Sequence, residues 1–385
     1  MAWQPLQGVR VVDLTQILSG PFATQILADL GAEVIKVEPP AGDKARRNGP
    51  MVNGKSSYFA SLNRGKRSVC LDLKAEEGRR ELLALAGAAD VLVENFRPGV
   101  MTRLGLGYER LREANPRLVY AACSGFGQEG ARAQRPALDV VVQAMAGTMA
   151  LTGDEAPARA GFSAGDIAAG LYLAVGVLAA LHGRAATGRG VFLDVAMLDC
   201  QVAVLENAFA RFFATGDEPR RLGSRHPVMA PFQAFPTADR PLVVAVSSDA
   251  HWHGFCRALG HPEWAEDARF RTSGERIQNL PALEAMVAPV LCGDGADAWL
   301  ERLSRAEVPC GPIRAVSEVA ADPDLGERGL FASVDYDGVP FRVVASPLVA
   351  DGERPAAARV PALGADTGTV LGAWARDVGD RGEAS

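Results

Sequence analysis

The stretch Val9–Glu38, VRVVDLTQILSGPFATQILADLGAEVIKVE, decides the fold. Val9–Leu14 reads as a buried strand. Gly20-Pro21 opens a helix that runs to Leu30, with proline in its favoured first turn, and Gly31 ends it. Glu33–Glu38 (EVIKVE) is the next strand. Strand, helix and strand make a β-α-β unit, which implies a parallel sheet. The turn after the first strand is TQILSGP and lacks the G-x-G-x-x-G fingerprint. Without those glycines the backbone cannot approach a pyrophosphate as dinucleotide-binding folds do, so an NAD enzyme is not expected.

Outward from that unit, Pro39–Arg67 is loop-rich and basic, with Lys44, Arg46, Arg47, Lys55, Arg64, Lys66 and Arg67. A charge run of this kind is commonly a solvated face. This one follows the carboxyl end of a strand, where open α/β sheets bind ligands, so a phosphate-bearing ligand is the functional expectation. Further strands are predicted at Ser68–Leu73, Asp90–Glu94, Leu118–Cys123 and Val191–Val195. Helices are predicted at Ala75–Ala86, Leu138–Leu151 and Leu198–Ala214. The strand Asp90–Glu94 exits into Asn95-Phe96-Arg97, which offers an amide, a ring and a guanidinium, and the helices that follow bring in Arg103.

One acid stands out. Asp166 follows Gly165 and precedes Ile167–Leu181, a run with Tyr172 as its only polar tip. The run is long enough for four helical turns and shorter than the roughly 20 residues of a membrane span. A helix apolar on all sides is a buried helix. Asp166 at its N-terminal mouth reads as an N-cap. Capping is what such an Asp usually does; the same physics also allows a nucleophile, because the helix N-terminus favours negative charge and keeps a carboxylate ionised. These residues alone leave both readings open.

The whole chain narrows the classes. It has 385 residues and a net charge of −6, which argues against a general nucleic-acid binder. Six scattered cysteines without a C-x-x-C exclude a cysteine-rich zinc site and read as reduced thiols of a cytoplasmic protein. His251 and His253 are spaced i, i+2, on different helix faces, so no metal site is expected. The N-terminal MAWQPLQGVR lacks the basic-then-apolar order of a secretory signal, and no membrane partner is expected. The Pro-rich segment 215–241 reads as a linker, Leu242 begins a second unit, and the polar tail Asp377–Ser385 is expected to fray.

Several stretches resemble the class III CoA-transferases, the formyl-CoA transferase and carnitine CoA-transferase (CaiB–BaiF) type. They are Val11–Asp43, Asn63–Gly78 (NRGKRSVCLDLKAEEG), Asp90–Glu109 (DVLVENFRPGVMTRLGLGYE) and Asn115–Gly130 (NPRLVYAACSGFGQEG). Gly165–Gly170 (GDIAAG) and His226–Phe235 (HPVMAPFQAF) also fit. The likeness covers nearly the whole chain in the family's order. It implies an α/β fold with a large Rossmann-like parallel-sheet domain from both chain ends, residues 1–204 and 327–385. Residues 215–326 would supply linkers and a smaller α+β domain, and two subunits would interlock as a homodimer.

The resemblance also implies roles. Asp166 falls at the family's aspartate nucleophile. CoA contacts fall at Leu18, Ser19, Pro39, Leu71, Asp72, Leu73, Lys74, Asn95, Phe96, Arg97 and Arg103, and His226 falls near the acyl substrate. The expected reaction moves CoA from an acyl-CoA thioester, succinyl-CoA being favoured, to a carboxylic acid through an aspartyl-CoA thioester. CoA is a substrate there, and no metal or redox cofactor is implied. Two features depart from relatives. Arg221–Ala234 holds one glycine, Gly223, where formyl-CoA transferases carry a glycine-rich loop, which counts against formyl or oxalyl chemistry. The α-methylacyl-CoA racemases place a histidine base in a Gly-His-Asp triplet, and here the triplet is Ala137-Leu138-Asp139. Leucine cannot move a proton, so a racemase is the lesser alternative, beside a non-catalytic acyl-CoA-binding protein.

Overall fold

The structure is a computed structural model and describes residues 3–382. The chain divides into two compact units. The first comprises the chain up to Met149, Arg159–Asp217 and the chain from Pro323 onward, and the second Ala150–Ala158 with Glu218–Asp322.

The first unit is built on six parallel strands: β1 (Arg10–Asp13), β2 (Glu33–Glu38), β3 (Arg67–Cys70), β4 (Val91–Glu94), β5 (Val119–Ser124) and β6 (Phe192–Ala196). Their spatial order is β3-β2-β1-β4-β5-β6, the doubly wound arrangement whose order reverses beside β1. The strands carry Val, Ile and Leu on both faces because both faces are covered. On one face Val11, Leu27, Ala169, Leu173 and Val177 share a core, and on the other Val12, Leu82, Leu85, Met101 and Trp374 do.

The helices that position the site are α1 (Ser19–Asp29), α2 (Glu76–Ala88), α3 (Val100–Arg103), α4 (Asp139–Ala146), α5 (Ala164–Thr187), α6 (Met197–Val204) and α7 (Glu206–Thr215). The predicted helix Leu138–Leu151 is broken at Gly147, whose φ of 95° ends α4 in the left-handed region. The predicted helix Leu198–Ala214 is likewise two helices, separated at Leu205. α5 corrects two expectations. It runs for 24 residues, as long as a membrane span, and it is not buried on all sides. Leu173, Ala174 and Val177 face the core, while Leu171, Tyr172 and Val175 are exposed. The C-terminal helix Thr367–Gly382 extends into the tail expected to fray, and residues 383–385 of that tail lie outside the described residues.

In the second unit, strands Phe232–Phe235, Leu242–Ala245 and Cys310–Pro312 form an antiparallel sheet around the middle strand. The predicted linker therefore contains a strand, because FQAF alternates buried and half-buried side chains against Leu242 and Val244.

Candidate active site

A sheet of this order opens a crevice between the loops that leave β1 and β4. Those loops are Leu14–Leu18 and Asn95–Gly99. The first is held rigidly. Asn95 accepts from the Gln16 N–H and donates to the Gln16 carbonyl, both at 2.8 Å. Ile17 stands at φ 72°, a left-handed conformation rare for a β-branched residue. A cavity of about 320 Å³ opens here, lined among others by Leu18, Ser19, Asn95, Phe96, Arg97 and Asp166. Lys44 and Arg135 also line it. Among the described residues, Lys44, Arg97 and Arg135 form no ion pair. A neighbouring cavity of about 250 Å³ shares Gln16 and Phe96 with the first and is lined by Pro39 and Leu71–Lys74. Arg103 ends α3 and lines neither cavity. His226 lies in the second unit, its ring 4.8 Å from that of Phe232 and its backbone N–H bonded to the Phe232 carbonyl. Nearby, Gln233 donates to Glu284, which also pairs with Arg225.

Asp166 is the third helical residue of α5, not its cap. Ser163 holds the cap position and makes no side-chain capping bond. Gly165 is held in place. Its N–H donates to Asp139 Oδ1 at 2.8 Å, and a Cβ there would sit 3.2 Å from that oxygen and 3.3 Å from Gln201 Oε1. A side chain there would press on both oxygens, and glycine relieves this close approach. It brings two carboxylates together at one helix end. Burial, and after it the Asp139 carboxylate, push the Asp166 carboxyl up to about 6. The hydroxyl and backbone N–H of Ser19 act the other way and favour the ionised form. Asp139 is itself fixed by Gln143 Nε2 at 2.7 Å, with Arg159 at 3.6 Å.

Three contributors escaped the sequence reading. Asp139 was legible only as a departure from a triplet. Tyr58 carries a phenol pushed up to about 12 by burial and then by Asp166, Asp43 and Asp139, which places it within the field of the two acids. Ser124 Oγ, at the end of β5, is buried in the cavity wall without a hydrogen-bond partner. No local pattern marks these residues, because their proximity comes from the sheet order. The basic loop is corrected more sharply. Lys66 pairs with Asp13, Arg46 with Glu38, Arg64 with Asp29, Arg67 with Glu33 and Lys55 with Asp337. Those five charges are committed inside the unit, and only Lys44 and Arg47 are left for a ligand. The thiols nearest the acid are poor competitors as nucleophiles. Burial pushes Cys123 up to about 12 and Cys200 up to about 11, so little thiolate exists at neutral pH.

The chain is thus a doubly wound α/β protein with a paired carboxylate in the crevice at its strand ends. The sequence pattern of CoA-transferase family III matches residues 6–367. The acetyl-CoA:oxalate CoA-transferase of Acetobacter aceti is 44% identical over 94% of each chain. The succinyl-CoA:mesaconate CoA-transferase of Haloarcula marismortui is 39% identical over 86% of each. The human succinyl-CoA:glutarate CoA-transferase is 37% identical over 90% of this chain and 80% of its own. Among solved structures, a CAIB/BAIF family protein from Brucella suis superposes with a TM-score of 0.85 at 38% identity, covering 96% of this chain and 99% of its own. Rv3272 of Mycobacterium tuberculosis gives 0.86 at 34% identity with the same coverage. The chain belongs to CoA-transferase family III. It is a CoA-transferase, moving CoA from an acyl-CoA thioester to a carboxylic acid.

Proposed function

We propose that Asp166 is the nucleophile, that the acceptor is a dicarboxylic acid, and that the enzyme works as a homodimer of interlocked subunits in the cytoplasm. The observation that carries the first part is the paired acid: Asp166 lies in the cavity beside Asp139, with its ionisation raised toward neutrality. At pH 7 it is still mostly ionised, and it is more basic than a free carboxylate. It attacks the thioester carbonyl of the donor, forming an acyl-aspartyl anhydride and releasing CoA thiolate. The thiolate attacks the aspartyl carbonyl, giving the aspartyl-CoA thioester and the donor acid. The acceptor carboxylate attacks that thioester to form a second anhydride, and the thiolate then takes the acceptor's acyl carbon and frees Asp166. Division into smaller steps is the gain from covalent catalysis. Retaining CoA keeps each attack local, which supplies up to about 7–11 kcal/mol. The Ser19 N–H and the Ser124 hydroxyl are the available donors for the oxyanions. The scheme uses no cofactor.

In this reading CoA extends from the Asp166 cavity past Phe96 to the neighbouring cavity at Pro39 and Leu71–Lys74. Arg97 and Arg103 attract its phosphates. Oxalate, mesaconate and glutarate, the acids in the relatives' names, each carry a second carboxylate. Lys44 and Arg135, unpaired at the rim, suit that charge. The similarity to an oxalate enzyme keeps oxalate on the panel although Arg221–Ala234 is poor in glycine. Dimerisation is supported by the exposed apolar face of α5 and by α7, of which no residue is buried although Phe212 and Phe213 lie on it. Faces of this size on a lone subunit mark an interface. Cytoplasmic location rests on six unpaired thiols. The test is a screen of acyl-CoA donors against mono- and dicarboxylic acids, read by mass spectrometry of the CoA products. Transfer confined to dicarboxylates is expected, and equal transfer to monocarboxylates of similar length overturns the acceptor class.

A further inference from the structure

Two lysines and two aspartates lie beneath the β1–α1 loop, all of them fully buried. Lys66 Nζ meets Asp13 Oδ2 at 3.0 Å, and Lys36 Nζ meets Asp43 Oδ2 at 2.9 Å, every one of these side chains 0% exposed. A buried ion pair contributes little net stability, because desolvation offsets the attraction. Four such charges ask for another role. The Asp13–Lys66 half binds the scaffold and the start of the loop: Lys66 also donates to Thr24 Oγ1 and the Pro21 carbonyl, and Asp13 Oδ1 accepts from the Thr15 N–H at 2.8 Å. The Lys36–Asp43 half grips the loop. Lys36 Nζ donates to the Thr15 carbonyl at 2.8 Å. Asp43 Oδ1 accepts from the Ile17 N–H at 3.3 Å and from the Ala45 N–H at 2.9 Å. At the end of these two grips stands Ile17, at φ 72°. Such a conformation costs of the order of 1–3 kcal/mol and persists only where its surroundings over-determine it. Two residues further on is Ser19, which lines the same cavity as Asp166 and whose N–H and hydroxyl favour the ionised form of that carboxylate.

We propose that Lys36 and Asp43 are positioning residues for acyl transfer: the buried pair clamps Ile17 in its strained conformation and so sets Ser19 against Asp166. The clamp reaches the reacting carboxylate only through the loop and touches no substrate. Ile17 is kept left-handed by the bonds that fix the backbone leading into it, at the Thr15 carbonyl and at its own N–H. Without them it relaxes to negative φ, and the Ser19 N–H turns away from the acid. The inference rests on Asp166 being the nucleophile.

The test is a double-mutant cycle on the full-length enzyme. Asp43→Ala removes the acceptor for Ile17, and Ile17→Gly removes the cost of the left-handed conformation. Asp43→Asn serves as the second variant should Asp43→Ala not fold, since it drops the charge that holds Lys36 while keeping the shape. Three quantities are read with a fixed acyl-CoA: kcat, KM for that acyl-CoA, and the rate at which a hydroxylamine-sensitive adduct forms on the Asp166 peptide. Misplacement by about 1 Å costs on the order of 100-fold in rate. Asp43→Ala is therefore expected to lower kcat and the adduct rate together by roughly that factor with KM little changed, and Ile17→Gly is expected to restore about tenfold of it in that background. A merely structural pair predicts a fall in melting temperature with no rescue by glycine. Adduct formation at the wild-type rate in a folded Asp43 variant, or the same loss with glycine or isoleucine at 17, overturns the clamp. Absence of the adduct from Asp166 in the wild-type enzyme instead overturns the nucleophile reading on which it stands.

Discussion

Asp166 is where local sequence and long-range structure act on one side chain. Its helix-mouth position favours the anion, while burial and Asp139 disfavour it, and the second effect wins, leaving the carboxyl near 6. Acylation should therefore fall as pH drops through about 6, when the nucleophile becomes protonated. Asp139→Asn removes the like charge while an amide oxygen still accepts from Gly165, so the acidic limb of the pH–rate profile should move to lower pH. A limb that stays put or moves up contradicts the pairing. The same shift acts on stability. A carboxyl whose value is raised by the fold destabilises it once ionised, so stability is lost as pH rises from about 4 through about 6. Asp166→Asn should accordingly unfold at higher temperature than wild type at pH 8, by on the order of 2–3 kcal/mol at most given the group's partial exposure, with the gap closing below pH 4. Ser124→Ala should lower kcat with KM little altered, as expected of a donor used in the transition state. Asp166 was legible as an acid at the mouth of a long apolar run, while its role as nucleophile came only from the family resemblance. Asp139, Ser124 and Tyr58 were not, since chain-distant residues meet only after the sheet is ordered.

Among the elements, the β-α-β unit was legible because Val, Ile and Leu alternate with sharp punctuation at Gly20-Pro21 and Gly31. The breaks after α4 and between α6 and α7 were missed because apolar periodicity runs through them, and Gly147 ends its helix by backbone conformation alone. The fate of the basic loop was equally hidden, since the partner acids lie outside it, on β1, α1, β2 and the turn at Asp337. Contact between α1 and α5 depends on Gly170, where a Cβ would lie 2.7 Å from the Ser19 carbonyl and 2.9 Å from the Phe22 ring. Gly170→Ala must push α5 away from Ser19. It should cost about 1–3 kcal/mol in stability and lower kcat beyond what the stability loss explains. Calorimetry and steady-state kinetics on one preparation check both, and an unperturbed kcat would detach Ser19 from the chemistry.

At the scale of the whole molecule, the apolar faces left uncovered on one subunit are the chief unexplained cost. Val175 is 62% and Phe213 77% exposed, and the proposed second subunit would cover both. Light scattering at micromolar concentration should give a dimer, and Val175→Asp with Phe213→Asp should lower its mass or its solubility, whereas a wild-type monomer overturns the assembly. The account as a whole stands on the covalent role of one carboxylate. Incubation with acyl-CoA in the absence of an acceptor acid, followed by rapid digestion and tandem mass spectrometry, tests it most directly. CoA should be found attached to the peptide containing Asp166 and be lost in Asp166→Asn. CoA or acyl groups attached to Cys123 or Cys200 instead, or turnover by Asp166→Asn at the wild-type rate, would contradict it.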